Sequence, residues 1–434
     1  MKTPTVPDLY EWQQAHADKL LRSMYVHGFA KDGSDTGTGK TYIALSVAKA
    51  LELTPFVICP KAVIPAWKEA IQAFGYKVPF AFSYDKMRRG DTEFYNGKFW
   101  SLNRDKVCLI FDEDHRCKSP KSKNGKMMVH AKNAKLHVLS LGATSCTNPT
   151  EMRALGYLLE MHSDSDWYRW CLKNGCKRGL FGGLIFNNSK SVLKKLHDHI
   201  YKLGRGSRIK ISDLPSGAFP EGIISADGYD LADKKEIKLI YEDLRNALDT
   251  IDARVASDVE SALVEQSRAR QQVEALKVPI LEELARDGYD SGNSVVIFVS
   301  FRESMELLLK RLSGLCEISM IHGGQDGFAR NQEVKKFQTD QARICLCTIQ
   351  AGGTGLSLHD VNGDHPRLSL ICPTFSAIDF KQTLGRIHRA GGKSTAVQKV
   401  VFANDTVEMR VCQAVRKKLR NIDLINDDEM NPLI

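Results

Sequence analysis

Two stretches of the sequence carry side chains that could act on one phosphate group. The first, near the amino terminus, reads Ser-Asp-Thr-Gly-Thr-Gly-Lys-Thr over residues 34–41. Glycines allow backbone N–H groups to wrap phosphate oxygens, a lysine reaches the outer phosphates, and a hydroxyl binds Mg²⁺. Lys40 and Thr41 supply the last two groups. We therefore expect a triphosphate-binding loop, followed by a helix whose positive dipole end faces the anion.

A pair of acidic residues could complete this site. Asp112 and Glu113 come directly after the apolar run Val107–Phe111. In a parallel sheet, ligands bind at the carboxyl ends of the strands. We expect Asp112 to hold Mg²⁺ and Glu113 to polarise the attacking water. An exposed acidic turn is the alternative, and the lysine-bearing loop upstream weighs against it.

The second stretch lies near the carboxyl terminus and reads Gln-Thr-Leu-Gly-Arg-Ile-His-Arg over residues 382–389. Arg386 and Arg389 are three residues apart and share one face if the segment is helical. An arginine that stabilises charge on a transferring phosphoryl group can raise the rate by about 10³ to 10⁵. A surface pair that binds a phosphate backbone is the alternative. With the first stretch, these arginines predict a nucleotide held between two lobes, as in a motor.

Basic residues are clustered in a way that favours a polyanionic partner. The formal net charge is +9, and the segment from Lys173 to Lys210 holds ten Lys or Arg residues with Asp198 as its one acid. The segment from Arg116 to Lys135 holds seven basic residues and no acid. Nucleic acid is the simplest polyanion for such patches, and a solvated basic face is the alternative. The residues of the first patch that we expect to contact DNA are Lys194, Lys195, Arg205 and Arg208.

These groups need a scaffold, and the hydrophobic pattern predicts one in three parts. Over residues 1–160, short apolar runs alternate with helical stretches, which is typical of a doubly wound parallel sheet. Over 161–285, strand signals thin out, and we predict a helical, basic insertion. Over 286–434 the alternation returns as a second α/β lobe. The strands that we predict are Phe56–Cys59, Val107–Phe111, His137–Leu141, Val295–Val299, Ile318–Ile321, Ile344–Cys347, Leu368–Ile371 and Val397–Phe402; the helices are Ala62–Phe74, Val192–Leu203, Ala232–Leu248 and Thr406–Asn421.

The composition narrows the class of protein. A chain of 434 residues is long for a single core. It has no run of about 18 apolar residues, and its amino terminus lacks the apolar stretch of a secretory signal. We therefore expect neither a membrane span nor secretion. The eleven cysteines form no Cys-x-x-Cys pair, so we expect no structural zinc and mainly buried, reduced thiols.

The segments that carry these candidate site residues resemble, in their order along the chain, motifs of the superfamily-2 helicases. Lys40 with Thr41 resembles motif I, and Gln382-x-x-x-Arg386-x-x-Arg389 resembles motif VI. The finer match is to the Swi/Snf-like branch: residues 112–119 read Asp-Glu-Asp-His-Arg-Cys-Lys-Ser, and residues 351–358 read Ala-Gly-Gly-Thr-Gly-Leu-Ser-Leu, like its motifs II and V. Cys59-Pro60-Lys61 with Trp67 is similar to motif Ia. Motif III departs from this branch, since residues 141–144 read Leu-Gly-Ala-Thr, which is closer to the Ser-Ala-Thr of ordinary superfamily-2 helicases.

The resemblance implies an architecture and a set of site residues. It implies an α/β fold of two RecA-like doubly wound parallel-sheet lobes with a helical insertion, binding ATP and Mg²⁺. Catalysis would rest on Lys40, Glu113, Arg386 and Arg389, with Thr41 and Asp112 on Mg²⁺, and Thr144 and Gln382 would couple hydrolysis to movement. The implied ATP-binding residues are Gln13, Thr36, Gly37, Thr38, Gly39, Lys40, Thr41, Asp112 and Gly355.

The resemblance also implies a nucleic-acid track in which backbone N–H groups and hydroxyls bind phosphates and so position the protein. The implied contacts are Lys61, Ser300, Arg302, His322, Gly323, Thr348 and Gly353. We expect a DNA-stimulated ATPase that translocates on double-stranded or branched DNA as a monomer and remodels forks or junctions by branch migration. The compact size suggests a viral or bacterial protein in the cytoplasm, or a nuclear one if the source is eukaryotic. The alternatives are a strand-separating DNA helicase, an RNA helicase of the Asp-Glu-x-His type, and a non-catalytic DNA-binding scaffold.

Overall fold

The computed structural model describes residues 8–179, 183–215, 217–230, 234–249, 256–352, 356–374, 376–404 and 407–427. These residues form two compact units. The first contains the described residues up to 215 together with 420–427, and the second contains the described residues from 217 to 419. Residues 420–427, the end of the last helix, thus belong to the first unit.

The first unit is an α/β unit. Its helices are α1 (Glu11–His27), α2 (Lys40–Ala50), α3 (Ile64–Ala73), α4 (Tyr84–Met87), α5 (Lys123–Asn133), α6 (Arg153–Leu158), α7 (Trp167–Lys173) and α8 (Lys190–His197). Its strands are β1 (Phe29–Asp32), β2 (Thr54–Cys59), β3 (Phe80–Ser83), β4 (Val107–Asp112), β5 (His137–Leu141), β6 (Cys176–Arg178), β7 (Leu184–Phe186) and β8 (Gly206–Ser207).

The second unit repeats the pattern. Its helices are α9 (Lys234–Asp249), α10 (Ala256–Leu276), α11 (Val278–Asp290), α12 (Arg302–Leu312), α13 (Gly327–Gln338), α14 (Ile349–Gly352), α15 (Ala377–Leu384) and α16 (Val407–Asp427), whose last residues lie in the first unit. Its strands are β9 (Gly222–Tyr229), β10 (Ser294–Val299), β11 (Ile318–Ile321), β12 (Ile344–Thr348), β13 (Arg367–Ile371) and β14 (Ala396–Ala403).

Each unit is built on one six-stranded sheet in which all paired strands are parallel. The order is β3-β2-β4-β5-β1-β8 in the first unit and β11-β12-β10-β13-β14-β9 in the second. The central strands are apolar on both faces because helices cover both sides of a parallel sheet. In β10, for example, all six residues are buried. Both units therefore have the RecA-like architecture that the sequence predicts.

The predicted strands and helices of the two lobes are found with small shifts at their ends. The segment 161–285 differs from its description as a helical insertion, because it also contributes β8 to the first sheet and β9 to the second. β9 pairs with β14 along its whole length, from Gly222 to Tyr229. Its apolar content is low because it lies at the edge of the sheet, so its sequence lacks the signal of a buried strand. The contacts assign residues 161–215 to the first unit and 216–285 to the second.

Candidate ATP site and nucleic-acid interface

The phosphate-binding loop connects β1 to α2 and depends on two glycines. Gly37 and Gly39 have φ angles of +85° and +84°, a left-handed conformation that glycine adopts without steric cost. A Cβ atom at Gly39 would lie 2.4 Å from the side-chain nitrogen of Gln13. Gln13 Nε2 donates to Thr38 O at 2.9 Å, so α1 packs directly against the loop. These contacts place the Gln13 side chain beside the loop, and its binding of ATP stays a prediction.

The ammonium group of Lys40 lies among oxygen atoms at the start of α2. Lys40 Nζ donates to Ser34 O at 2.9 Å and to Asp35 O at 2.8 Å. Burial lowers the pKa of Lys40, and the carboxylates of Asp32, Glu113 and Asp112 oppose that shift. The lysine is therefore held over its own loop, close to the acidic pair that the sequence assigns to the same site. Thr36 and Thr41 are half-buried.

Asp112 ends β4 and is oriented by two aromatic side chains. Trp67 Nε1 donates to Asp112 Oδ2 at 2.8 Å, and the Tyr84 hydroxyl donates to Asp112 O at 2.9 Å. Burial raises the pKa of Asp112 to about 6, Glu113 adds to that rise, and the bond from Trp67 opposes it. The sequence indicated Trp67 as part of a motif but gave no sign of this hydrogen bond, because 45 residues separate the two partners.

Glu113 lies in a strained backbone conformation next to the predicted metal ligand. Its φ angle of +55° is uncommon for a residue with a side chain, and such strain is often found at functional sites. Its Oε2 atom is 3.3 Å from His115 Nδ1. The side chains of Glu113 and His115 are therefore neighbours in the loop Asp112–His115.

A buried network of polar side chains packs against the start of the phosphate-binding loop. Asp32 Oδ1 is 3.1 Å from His16 Nε2 and accepts a hydrogen bond from Ser34 N. Although burial acts in the opposite direction, the pKa of Asp32 is lowered well below its ordinary value, mainly by His16. His16 also lies 2.8 Å from the Ser207 hydroxyl of β8. Sequence reasoning missed this network because its members are scattered along the chain.

A second buried ion pair joins motif II to motif III. Lys31 Nζ is 3.1 Å from Asp114 Oδ2 and donates to Gly142 O at 2.7 Å. Ser140 donates to Asp114 Oδ2 at 2.6 Å. Gly142 must lack a side chain here, since a Cβ atom would lie 2.2 Å from Asp114 Oδ1. The predicted coupling hydroxyl, Thr144 Oγ1, is buried without a hydrogen-bond partner among the residues that the structure describes.

The predicted arginines of motif VI lie in the second unit, after α15. The Arg386 side chain is 1% exposed, and its Nη1 donates to Leu356 O at 3.2 Å. Arg389 donates through Nε to Gly385 O at 2.9 Å and through Nη1 to Ser357 Oγ at 3.0 Å. Gln382 of α15 is also buried. Motif VI is thus packed against the last residues of motif V, including Ser357, which stands where the motif of the Swi/Snf-like branch has asparagine.

Predicted nucleic-acid contacts of the second unit gather at the carboxyl edge of its sheet. Arg302 and His322 follow β10 and β11 and flank Gly324, whose Cβ position lies 3.5 Å from Arg302 Nη1 and 3.4 Å from His322 Nδ1. Burial lowers the pKa of His322, as do the guanidinium groups of Arg302 and Arg330. Gly323 is exposed, and Thr348 ends β12. Gly353 and Gly355 lie outside the described residues.

The expected use of the Ser300 backbone needs a correction. We predicted that backbone N–H groups at this position bind phosphates, but Ser300 N donates to both carboxylate oxygens of Glu274, at 3.0 and 2.8 Å. Phe301 N donates to Glu274 Oε1 at 2.9 Å. The buried carboxylate of Glu274 thus accepts both N–H groups. The Ser300 hydroxyl is the group of this residue that could still bind a phosphate.

The basic segment of the first unit divides into surface and interior residues. Lys194 and Lys195 are exposed on α8, and Lys61 is exposed after β2. Arg205 is 17% exposed and lies 3.8 Å from Glu160. Arg208 does not fit the predicted DNA contact, because its side chain is 6% exposed and is paired with Asp427, which is buried, and with Asp35, which is partly buried. A guanidinium enclosed in this way does not serve as a surface contact for DNA.

The cysteines, possible metal ligands and helix lengths complete the description of the chain. All eleven cysteines are free thiols, and nine of them are buried. Within the described ranges, no group of three or more His, Cys, Asp or Glu side chains is arranged to hold a metal ion. The helices of the described part of the chain are too short or too polar to cross a membrane.

Comparisons with known proteins show similarity to helicases. The family model of the helicase conserved C-terminal domain matches residues 276–391, which lie in the second unit. A protein of Acanthamoeba polyphaga mimivirus, named by inference as an ATP-dependent RNA helicase, is 28% identical over 99% of this chain and 86% of its own length. The DNA repair protein RAD5B of Arabidopsis thaliana is 30% identical over 35% of this chain and 12% of its own length.

A solved structure supports the fold independently. A Dbp5 variant from S. cerevisiae, bound to RNA and ADP-BeF3, has a TM-score of 0.51 at 12% identity and covers 94% of this chain and 88% of its own. At this identity the likeness concerns the arrangement of strands and helices.

Proposed function

We propose, from the premise that the chain belongs to the Swi/Snf-like branch of the superfamily-2 helicases, that it is a DNA-stimulated ATPase that translocates on double-stranded DNA. As a member of this family the chain is an ATP-hydrolysing enzyme. The choice of polynucleotide and the movement along it form the proposal.

The residues of the first unit fit ATP and Mg²⁺. The loop has two glycines with left-handed backbone conformation before Lys40. The ammonium group of Lys40 donates to two backbone carbonyl oxygens, and it would bind phosphate oxygens in the same way. The donor set for Mg²⁺ would be the Thr41 hydroxyl and the Asp112 carboxylate, and the ion would neutralise phosphate charge. Glu113 would orient the attacking water, and Trp67 keeps the Asp112 carboxylate in a single direction. Arg386 and Arg389 would add positive charge when the nucleotide reacts.

The observation that carries the choice of DNA is the segment Ala351–Leu358. Its Ala-Gly-Gly-Thr-Gly-Leu-Ser-Leu sequence resembles motif V of the Swi/Snf-like branch, and this resemblance implies a translocase on duplex DNA. The extended motif II over residues 112–119 supports the same branch. RAD5B, which is named a DNA repair protein, is consistent with this choice.

ATPase stimulation tests the proposal directly. We expect duplex DNA to raise the steady-state rate of ATP hydrolysis well above the rate with single-stranded DNA or with RNA of the same length. Forked and four-way DNA, compared with a linear duplex of equal length, test the remodelling of branched structures. Stronger stimulation by RNA than by duplex DNA would contradict the proposal, whereas efficient unwinding from a single-stranded tail would indicate a conventional strand-separating helicase.

An RNA helicase is the second candidate, and one observation favours it. The mimivirus relative matches nearly the whole chain and carries an RNA helicase name. The same ATPase panel separates the two candidates, because an enzyme that reads RNA through its 2′-hydroxyls loses stimulation when DNA replaces RNA.

Basic residues on α8 give a further prediction about binding. We expect the double substitution Lys194→Gln with Lys195→Gln to weaken DNA binding and to flatten its salt dependence. The slope of log affinity against log salt should fall by about 0.9 for each phosphate of B-DNA that the variant no longer neutralises. Fluorescence anisotropy of a labelled duplex, titrated at several salt concentrations, measures this slope.

Lys235 and Lys238 provide the matched control, since they are exposed on α9 and outside every predicted contact. Changing both to Gln removes the same charge and should leave the slope nearly unchanged. If the two double variants show equal slopes, α8 is only a solvated basic surface.

A further inference from the structure

Arg208, which the sequence placed on a DNA-binding surface, is instead the centre of a buried ionic cluster in the first unit. Its Nε and Nη2 atoms donate to the two carboxylate oxygens of Asp427, at 2.5 and 3.0 Å. Its Nη2 also donates to Asp35 Oδ1 at 2.9 Å, and its Nη1 donates to Gly33 O at 2.5 Å. The planar guanidinium thus joins three acceptor residues at once through four hydrogen bonds, which a lysine ammonium cannot do with the same geometry.

Two of those acceptors belong to the segment that forms the ATP site. Gly33 and Asp35 lie between β1 and Lys40, and Asp35 O accepts a hydrogen bond from Lys40 Nζ. The second carboxylate oxygen of Asp35 accepts from Ile211 N at 3.1 Å. Asp35 N in turn donates to Ile209 O at 3.0 Å. The segment that carries Arg208 therefore fixes both the backbone and the side chain of Asp35 at the base of the phosphate loop.

The other acceptor lies at the far end of the sequence. Asp427 ends α16, is 1% exposed, and has Lys210 Nζ 3.7 Å away as a second cation. The preceding residue, Asn426, donates to Ala143 O at 2.8 Å. Burial would lower the pKa of Arg208, but Asp35 and Asp427 raise it above its ordinary value, so the guanidinium stays charged. Removal of one partner from such a cluster leaves a buried charge without its counterion, which is strongly unfavourable.

We propose that Arg208 and Asp427 are positioning residues of the ATPase: Asp427, at the end of the last helix, holds the Arg208 guanidinium against Asp35 and Gly33, and this contact keeps the phosphate loop in the shape that receives ATP. The carboxyl-terminal end of α16 is then part of the nucleotide site, although it contributes no group to the nucleotide itself. The inference concerns ATP binding by the first unit and is independent of whether the polynucleotide is DNA or RNA.

Three variants of the full chain test this inference: Asp427→Asn, Asp35→Asn and the double variant. Each single substitution should raise the KM for ATP by about tenfold, while kcat changes by less than about threefold. Because both residues act through Arg208, the double variant should be no worse than the more damaging single variant. Titration of a fluorescent ATP analogue without nucleic acid should show the same loss of affinity, independently of any stimulating polynucleotide.

Arg208→Lys provides a conservative comparison, because it keeps the charge but loses the fork that reaches three acceptors. We expect an intermediate KM for this variant. The matched control is Asn421→Ala, which removes a 3.1 Å hydrogen bond from Nδ2 of Asn421 to Asn188 Oδ1 on the same stretch of α16, away from the loop.

Thermal unfolding separates positioning from general stability. Asn421→Ala should lower the melting temperature without changing the KM for ATP. If Asp427→Asn lowers only the melting temperature and leaves analogue affinity at the native value, the cluster is structural and the inference is wrong. Additive effects of Asp427→Asn and Asp35→Asn on KM would also overturn it, since independent sites add.

Discussion

Lys40→Ala is expected to abolish ATP hydrolysis while the protein stays folded. Lys40 Nζ is the cation at the start of α2, and it donates hydrogen bonds to two loop carbonyl oxygens. Its removal takes away the positive charge that would meet the outer phosphates of ATP. A phosphate-release assay with saturating duplex DNA should give a rate indistinguishable from background, and binding of a fluorescent ATP analogue should weaken.

Glu113→Gln is the comparison that distinguishes binding from chemistry. This substitution keeps the shape of the side chain next to His115 but removes the carboxylate that would polarise water. We expect near-normal analogue binding with very slow turnover, the reverse of the weak binding of Lys40→Ala. Appreciable ATP hydrolysis by Lys40→Ala, at an unchanged melting temperature, would show that the phosphate loop is not part of the catalytic site.

Arg386→Ala is expected to have the second largest effect, a loss of stimulated hydrolysis with ATP and DNA still bound. An arginine that acts on the transition state contributes about 10³ to 10⁵ in rate, and its loss should lower kcat with little change in the KM for ATP. Stopped assays with and without duplex DNA measure the loss, and anisotropy verifies that DNA still binds. Near-normal stimulation would refute the assignment.

Because Arg386 is buried, its substitution could also destabilise the second unit, and a second buried arginine is needed as a control. Arg367 is also 1% exposed in the second unit, where it pairs with Asp340 at 2.5 Å. Arg367→Met should destabilise the unit comparably but preserve DNA-stimulated hydrolysis in the folded protein. If both arginine variants lose stimulation to the same degree, the effect of Arg386→Ala reflects folding rather than chemistry.

The sequence predicted the parts of the fold that short-range patterns encode. Central strands such as β4 and β10 are continuous apolar runs, so their identity follows from burial between two helical layers. The phosphate loop follows from glycine geometry and the neighbouring lysine. The edge strand β9 gave no such signal, because half of an edge strand's environment is solvent and its composition is mixed.

What could not be predicted depends on partners that are distant along the chain. Arg208 lies in a basic stretch and was expected on the surface, but its acid Asp427 is 219 residues away. The Ser300 N–H group was expected to face phosphate, but Glu274 from α10 takes it. Charge counting along a sequence cannot distinguish an arginine in solvent from one enclosed by acids that the fold delivers from elsewhere.

The close approach of Gly142 to Asp114 has a consequence for how this protein can change over generations. Any side chain at residue 142 would collide with the Asp114 carboxylate, which Lys31 and Ser140 keep in place. The Ser-Ala-Thr version of motif III, found in ordinary superfamily-2 helicases, is therefore inaccessible to this chain by a single substitution at that position. A larger residue at position 142 requires a smaller side chain at position 114, and loss of the Asp114 carboxylate leaves Lys31 buried without its partner. The residues at positions 31, 114 and 142 are therefore expected to change together.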